Sequence, residues 1–480
     1  MLKTALHRLA KGSLIYGIGG MLQRFMGLLL LPFYTRELSP HDYGVIALVS
    51  LVGVAMSGVL TLGTGNSMGL LYYLEQDKTK RPTIIWTNVL LMVVNGMLWY
   101  ALLLNVAPVL SVWIFQTAQY AELLRLALIG CILGFIADPW LAFLRMEERA
   151  KEYVSITLIS SFISIGLSIY LVLFIKIGVS GVILAGAIAQ GIMLVVIWVV
   201  VGRKLPFGLD WQLFKPLIRI GFPSIFGLFA FLLIDYADRQ MIERLLGLHD
   251  LGVYSIGYSF GMIMTIAVGA FGTAWPPFFM SYARKKDEAR EIFSKVLTLY
   301  VIGFGSFTLL FFAVAKIIVL SMTDVAFRES YNVIGLVAAG YAFKGCYLII
   351  LPGIYFAKKL YWQSFIEWIA AIFNIIANFL FIPILGVFGA ALATFFSYFL
   401  LFVVGWLISQ KFMNVRYDKI IIKILIIATS GCALLHQINN NFNDNLLFLC
   451  LTNILVLFIY LSIFFYFYMI NKKQLSIKIF

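Results

Sequence analysis

The chain has 480 residues, 62% of them hydrophobic and only 12% charged, with a formal net charge of +14. A soluble domain carries roughly a quarter of its residues charged, so this composition excludes a water-facing surface over most of the chain. The basic residues are scattered between apolar runs rather than gathered on one domain, which excludes a nucleic-acid-binding module.

A helix crosses the hydrocarbon with about 20 apolar residues, and apolar runs between charged breaks give fourteen spans in chain order. They lie near 12 to 34, 44 to 70, 83 to 107, 123 to 144, 154 to 175, 179 to 201, 216 to 237, 251 to 274, 294 to 318, 331 to 356, 361 to 383, 387 to 409, 420 to 437 and 446 to 470. The first follows Lys3, Arg8 and Lys11 but is too long for a signal-peptide core and lacks a small-residue cleavage site, so it reads as a retained span. With the N-terminus inside, cytoplasmic segments hold 27 of the 36 Lys and Arg and external ones seven, the bias expected of cytoplasmic loops. Both termini are therefore expected in the cytoplasm.

An internal repeat appears twice at an offset of 208. LSPHDYGV (38 to 45) matches LGLHDLGV (246 to 253), and Gly178-Val179-Ser180-Gly181 matches Gly386-Val387-Phe388-Gly389. The offset spans six helices, an even number, so the halves are expected to be parallel repeats. The fold expected is an all-α polytopic membrane protein of about 14 transmembrane helices. It divides into a six-helix lobe at 1–208, a second at 209–415 and an extra two-helix hairpin at 416–480.

The runs LPFYTRELSPHDYG (31 to 44), DRQMIERLLGLHDLGVYS (238 to 255) and FNIIANFLFIPILGVFGAALAT (373 to 394) resemble the signature stretches of bacterial polysaccharide-export flippases, including the O-antigen (Wzx-type) flippases. These belong to the multidrug/oligosaccharidyl-lipid/polysaccharide export superfamily, and the resemblance covers essentially the whole chain. It implies two lobes around a central cavity and alternating access. The implied substrate is an undecaprenyl-diphosphate-linked oligosaccharide, an O-antigen or similar repeat unit, moved from the cytoplasmic to the outer leaflet of the bacterial cytoplasmic (inner) membrane. Implied partners are that lipid-linked substrate, membrane lipids, the polysaccharide polymerase machinery and a coupling ion, proton or sodium.

An ionisable side chain near the bilayer centre costs roughly 2.5 to 3.5 kcal/mol on insertion scales and calls for a partner or a water-filled cavity. Arg24 lies midway along the first span on a stripe with Gly17, Gly20 and Gly27. Lys344 is central in the tenth, with Tyr341 and Tyr347 on roughly the same face. These four polar side chains are the candidate substrate-binding residues, since cations suit a diphosphate or an acidic sugar. Asp138, before Pro139 and on a face with Cys131, Gly134 and Ala142, and Glu367, on a stripe with Ala371, Asn374 and Asn378, are the candidate ion-coupling residues. The plainer alternative pairs Asp138 with Arg24 and Glu367 with Lys344. Asp238 and Arg239 mark the outer end of the seventh span with Asp235, Glu243 and Arg244; there most charges are expected to be solvated or in local helix-end pairs. Tyr254 and Tyr258, four apart, are further candidates for a sugar cavity.

No GxxxxGK[ST] loop is present, and the histidines at 7, 41, 249 and 436 are dispersed, so no catalytic, metal or cofactor constellation is expected and the protein reads as a transporter rather than an enzyme. The four cysteines fall in apolar stretches and suggest no disulfide framework. A cation-coupled multidrug exporter of the same superfamily is the alternative, disfavoured by the central cations. A membrane polysaccharide polymerase or ligase is disfavoured by the short loops.

Overall fold

The computed structural model describes residues 18–23, 26–27, 30–282, 286–357, 359, 361–441 and 446–475. Arg24 and Gly17 lie outside the described residues. Among those described, the structure is helical throughout with no strand. In chain order the helices are α1 (Leu31–Glu37), α2 (Pro40–Thr61), α3 (Thr64–Leu74), α4 (Arg81–Phe115), α5 (Ala121–Met146), α6 (Ala150–Ile169), α7 (Gly178–Val200), α8 (Phe214–Gly221) and α9 (Pro223–Leu246). There follow α10 (Leu248–Gly261), α11 (Met264–Ser281), α12 (Lys286–Met322), α13 (Tyr331–Ile350), α14 (Pro352–Phe356), α15 (Tyr361–Phe412), α16 (Ile420–Asn441) and α17 (Leu446–Leu475).

Ten described helices are long and apolar enough to cross a membrane, or eleven if the bent pair Leu248–Gly261 and Met264–Gly272 is one span. The protein is therefore a multi-pass membrane protein. One of the ten is α15, whose 52 residues run without interruption except at Gly386, where φ is 59° and ψ −142°. At 1.5 Å per residue it is ~78 Å long, enough for two crossings. The sequence reading split it into spans eleven and twelve at this point. The seventh expected span falls on α8 and α9, which are helical but too charged to count by composition. The first is described only in part.

Both repeated motifs do the same local work in each half. Pro40 and Leu248, 208 apart, each open a helix. In the first half Ser39 caps it: the Asp42 amide donates to Ser39 Oγ at 3.2 Å and the Ser39 amide to Asp42 Oδ2 at 3.0 Å, so serine, proline and aspartate stand where an N-terminus needs them. Gly178 and Gly386, also 208 apart, have φ of 57° and 59°. A side chain is strained in that region, so a glycine there is a conformational requirement in both halves.

The chain forms two compact units, Met1–Leu232 and Leu233–Phe480. In the first, α2 breaks at Leu62 and Gly63, both left-handed, and Asn95 Nδ2 donates to the carbonyls of Val59 and Leu60 at 2.9 and 2.7 Å. Apolar cores gather around Ile85, Trp140, Leu144 and Ile197, and around Met68, Met92 and Leu217. In the second, α11, α12, α13, α16 and α17 share a core around Trp275, Phe293, Tyr300, Ile424 and Phe464. Exposed Met97 and Leu98 on α4 and Phe379 and Leu380 on α15 give these helices the apolar exterior that lipid requires.

Candidate functional site

Four helices of the second unit bring titratable side chains into one network. Asp235, Asp238 and Arg239 come from α9, Tyr254 and Tyr258 from α10, Tyr341 and Lys344 from α13, and Tyr398 from α15. The spacings place each set on one helical face: 235 with 238 and 239, 254 with 258, 341 with 344. Gly257 lets α10 come close: a Cβ there would lie 2.3 Å from the Ser330 carbonyl oxygen.

Asp235 is the hub. Tyr398 Oη donates to its Oδ1, Tyr341 Oη donates to the same oxygen at 3.2 Å, and Lys344 Nζ lies 3.9 Å from its Oδ2. Tyr341 and Tyr258 join hydroxyl to hydroxyl at 2.8 Å. Tyr254 Oη donates to Asp238, whose other oxygen takes Arg239 Nη1 at 3.3 Å. The Arg239 guanidinium lies over the rings of Tyr236 and Tyr258, 4.5 Å from each centroid, and donates to the Asp235 carbonyl. Two carboxylates thus meet two cations, and each charge has a hydrogen-bonding partner, the condition under which buried ions are tolerated.

The charges closing α9 were expected to be solvated or in local pairs: Asp238, Arg239 and Glu243 are buried rather than solvated, and Asp238 and Arg239 pair with each other. The helix end is covered by the tyrosine-bearing faces of its neighbours. Tyr254, Tyr258, Tyr341 and Tyr398 are also fully buried, at home in the network rather than in an interfacial belt.

Lys344 is the network's open end. Its side chain is 26% exposed against 0% for Asp238, and its ammonium stands 5.6 Å from the Tyr341 ring centroid and 5.3 Å from that of Tyr398. Tyr341 accompanies Lys344 as the sequence suggested. Tyr347 turns instead to Glu367, donating at 3.4 Å beside Gln363 Nε2 at 3.0 Å. Lys344 takes Asp235 as its ion-pair partner, the acid that the sequence reading left among helix-end charges.

Glu367 is buried with Asn374 and Asn378 beyond it on α15. Asn378 Nδ2 donates to Asn374 Oδ1 at 3.0 Å, while Asn374 Nδ2, Asn378 Oδ1 and Thr394 Oγ1 are buried without a hydrogen-bond partner among the described residues. In the first unit, Asp138 lies 3.4 Å from Arg145 Nη2 and lines a cavity with Cys131 and Gly134. Among the described residues, no group of three or more His, Cys, Asp and Glu side chains could hold a metal ion.

The family model described as "Polysaccharide biosynthesis protein" matches residues 33–332, more than half of the chain. The chain belongs to the polysaccharide biosynthesis protein family. That match takes in the first unit from residue 33 onward together with Asp235, Asp238, Arg239, Tyr254 and Tyr258. A Haemophilus influenzae protein of the Lsg locus is 20% identical over 285 residues, 58% of this chain and 67% of that protein. Among solved structures, the lipid II flippase MurJ in an inward closed conformation aligns with a TM-score of 0.71 at 15% identity, covering 96% of this chain and all of that one. An inward-facing multidrug resistance MATE transporter of the MOP superfamily aligns at 0.63 and 14% identity, covering 86% and 99%. At such identities the likeness is one of fold. It agrees with the all-α polytopic fold expected for this polysaccharide biosynthesis protein.

Proposed function

We propose that the protein is a flippase that moves an undecaprenyl-diphosphate-linked oligosaccharide, an O-antigen or similar repeat unit, from the cytoplasmic to the outer leaflet of the bacterial cytoplasmic membrane. It works by alternating access, with both termini cytoplasmic and two six-helix lobes followed by a C-terminal helix pair. The observation that carries the reading is Lys344: a cation part-way exposed at the end of a buried network, flanked by two tyrosine rings. An ammonium pairs with a diphosphate or acidic sugar, and aromatic faces suit sugar rings. Asp235, at 3.9 Å, is near enough to balance a cation and far enough to yield to a closer anion.

Of the two acids expected to couple to an ion, Glu367 has the surroundings that favour the role. Its stripe carries an unpartnered donor at Asn374 and an unpartnered acceptor at Asn378, which suit a proton or a sodium ion with its water. Asp138 already has Arg145 beside it. Arg24 keeps its proposed role as a second anion-holding cation.

The test is to delete the gene in its host and measure surface polysaccharide together with lipid-linked intermediates by mass spectrometry. Loss of surface polymer with accumulation of one complete diphosphate-linked unit supports the flippase. Unchanged polymer with raised drug sensitivity replaces it with the multidrug exporter, and complete units reaching the outer leaflet without being joined replaces it with a polymerase or ligase.

A further inference from the structure

A second polar site lies in the first unit. Helices α2, α5 and α7 line an open cavity of about 700 Å³, within the ~300 to 1,000 Å³ typical of small-ligand pockets. It is far larger than a bound ion needs, since a water's share of liquid volume is about 30 Å³. Gly134 keeps it open beside α7, where a Cβ would sit 3.0 Å from Gln190 Oε1.

Beside the Ser50 hydroxyl and the Gln190 amide N–H groups, the cavity lining offers mainly oxygen lone pairs. Ser57 Oγ donates to the Val54 carbonyl at 2.6 Å and Thr61 Oγ1 to the Ser57 carbonyl at 2.7 Å. A hydroxyl has one hydrogen and two lone pairs, so these two, with their hydrogens spent on the helix backbone, present only acceptors. Asp138 adds a carboxylate. Gln190 Oε1 is buried with no hydrogen-bond partner among the described residues, and an unsatisfied buried acceptor is costly, so a donor that reaches it is favoured.

The charge balance selects the kind of donor. Arg145 Nη2 stands 3.4 Å from Asp138, so the carboxylate already has a counter-charge beside it. A cationic ligand would have to compete with Arg145; a neutral molecule rich in hydroxyl donors would not. Phe135 adds an aromatic ring to the lining, an apolar surface of the sort the C–H face of a sugar ring packs against.

We propose that this cavity binds a hydroxyl-bearing sugar residue of the transported lipid, with Asp138 and Gln190 as the acceptors that take its hydroxyl hydrogens. The proposal rests on the flippase reading and adds a subsite for the glycan to the cationic site proposed for the anionic headgroup.

Cys131 lines the same cavity and serves as the reporter. In the full-length protein with Cys346→Ala, Cys432→Ala and Cys450→Ala, the rate of Cys131 labelling by a water-soluble maleimide is measured alone, with diphosphate-linked glycan extracted from the host, and with sugar-free polyprenyl diphosphate. Thermal unfolding in detergent reports binding of each lipid separately. The expected result is labelling that the glycan-bearing lipid slows tenfold or more and the sugar-free lipid does not, with protection weaker by about tenfold in Gln190→Leu, the worth of one hydrogen bond. Equal protection by both lipids, undiminished protection in Gln190→Leu, or unchanged labelling by a glycan lipid that does stabilise the protein each overturns the sugar subsite and leaves the flippase reading standing. A Cys131 that never reacts overturns the subsite as well. If neither lipid stabilises the protein, the subsite falls together with the reading beneath it.

Discussion

Asp235 holds Tyr398 and Tyr341 by hydrogen bonds on one carboxylate oxygen and leaves the other to Lys344 at 3.9 Å. The acid is thus fixed by the tyrosines whether or not the lysine stays. Removing the ammonium should therefore change transport much more than folding.

Lys344→Ala is expected to lower flipping by about ten- to a hundredfold, the worth of one charge-assisted hydrogen bond to the substrate, while expression and thermal unfolding stay near wild type because the pair is partly exposed and long. Lys344→Arg should recover part of the rate. Accumulated lipid-linked intermediate in complemented deletion strains measures the first effect and unfolding in detergent the second. Collapse of the fold in Lys344→Ala would show the lysine to be structural.

Asp238→Ala should be a folding defect. It strands the buried Arg239 guanidinium, and breaking a buried pair by removing one partner costs about 3–5 kcal/mol. Tyr254→Phe removes only one donor to Asp238 and should cost about 1–3 kcal/mol. Unfolding midpoints should rank wild type above Tyr254→Phe above Asp238→Ala.

Close packing gives a contrast between two glycines. A Cβ at Gly345 would lie 1.6 Å from Tyr300 Oη, a side chain, whereas at Gly257 it meets the Ser330 carbonyl oxygen at 2.3 Å, which is backbone. Both alanine variants should be destabilised, but Tyr300→Ala should relieve Gly345→Ala in part. Gly257→Ala should have no such side-chain suppressor, and the yield of folded protein on size exclusion would show the difference.

The final helix pair is fastened by buried polar groups. Lys316 Nζ donates to the Asn439 carbonyl at 2.9 Å, Asn439 Nδ2 to Phe312 at 2.8 Å, and Asn453 Nδ2 to Ala313 at 2.8 Å. Asn439→Ala is expected to loosen α16 and α17 from α12 by about 1–3 kcal/mol and to speed protease cleavage in residues 411–419. Cleavage at the wild-type rate would show the bond to be dispensable.

The helices and the repeat were legible because apolar length and glycine punctuation act locally: the Ser39 capping box and the paired Gly178 and Gly386 need only neighbours in the chain. The Asp235 network was not legible, because its partners lie on four helices separated by up to 163 positions. Charges at a helix end look alike whether water or protein covers them. The available signal was tyrosine rather than charge, with Tyr254 and Tyr258 four apart and Tyr341 three before Lys344 amid aliphatic residues. Lys344 itself could be found from hydropathy alone, since a lone cation in an apolar run has no surface to reach.

Gly386 has a practical consequence for mapping topology. Helix passes into helix there with one non-helical residue, and the flanking Ile384 is 78% exposed, so the corner presents apolar side chains. An epitope tag or reporter enzyme inserted at 384–389 would have to be drawn through grease before anything could read it. Sidedness in this half is better mapped from residues 411–419 or from 359, and a silent fusion at the corner should be taken as a failed insertion rather than as evidence about which compartment it faces.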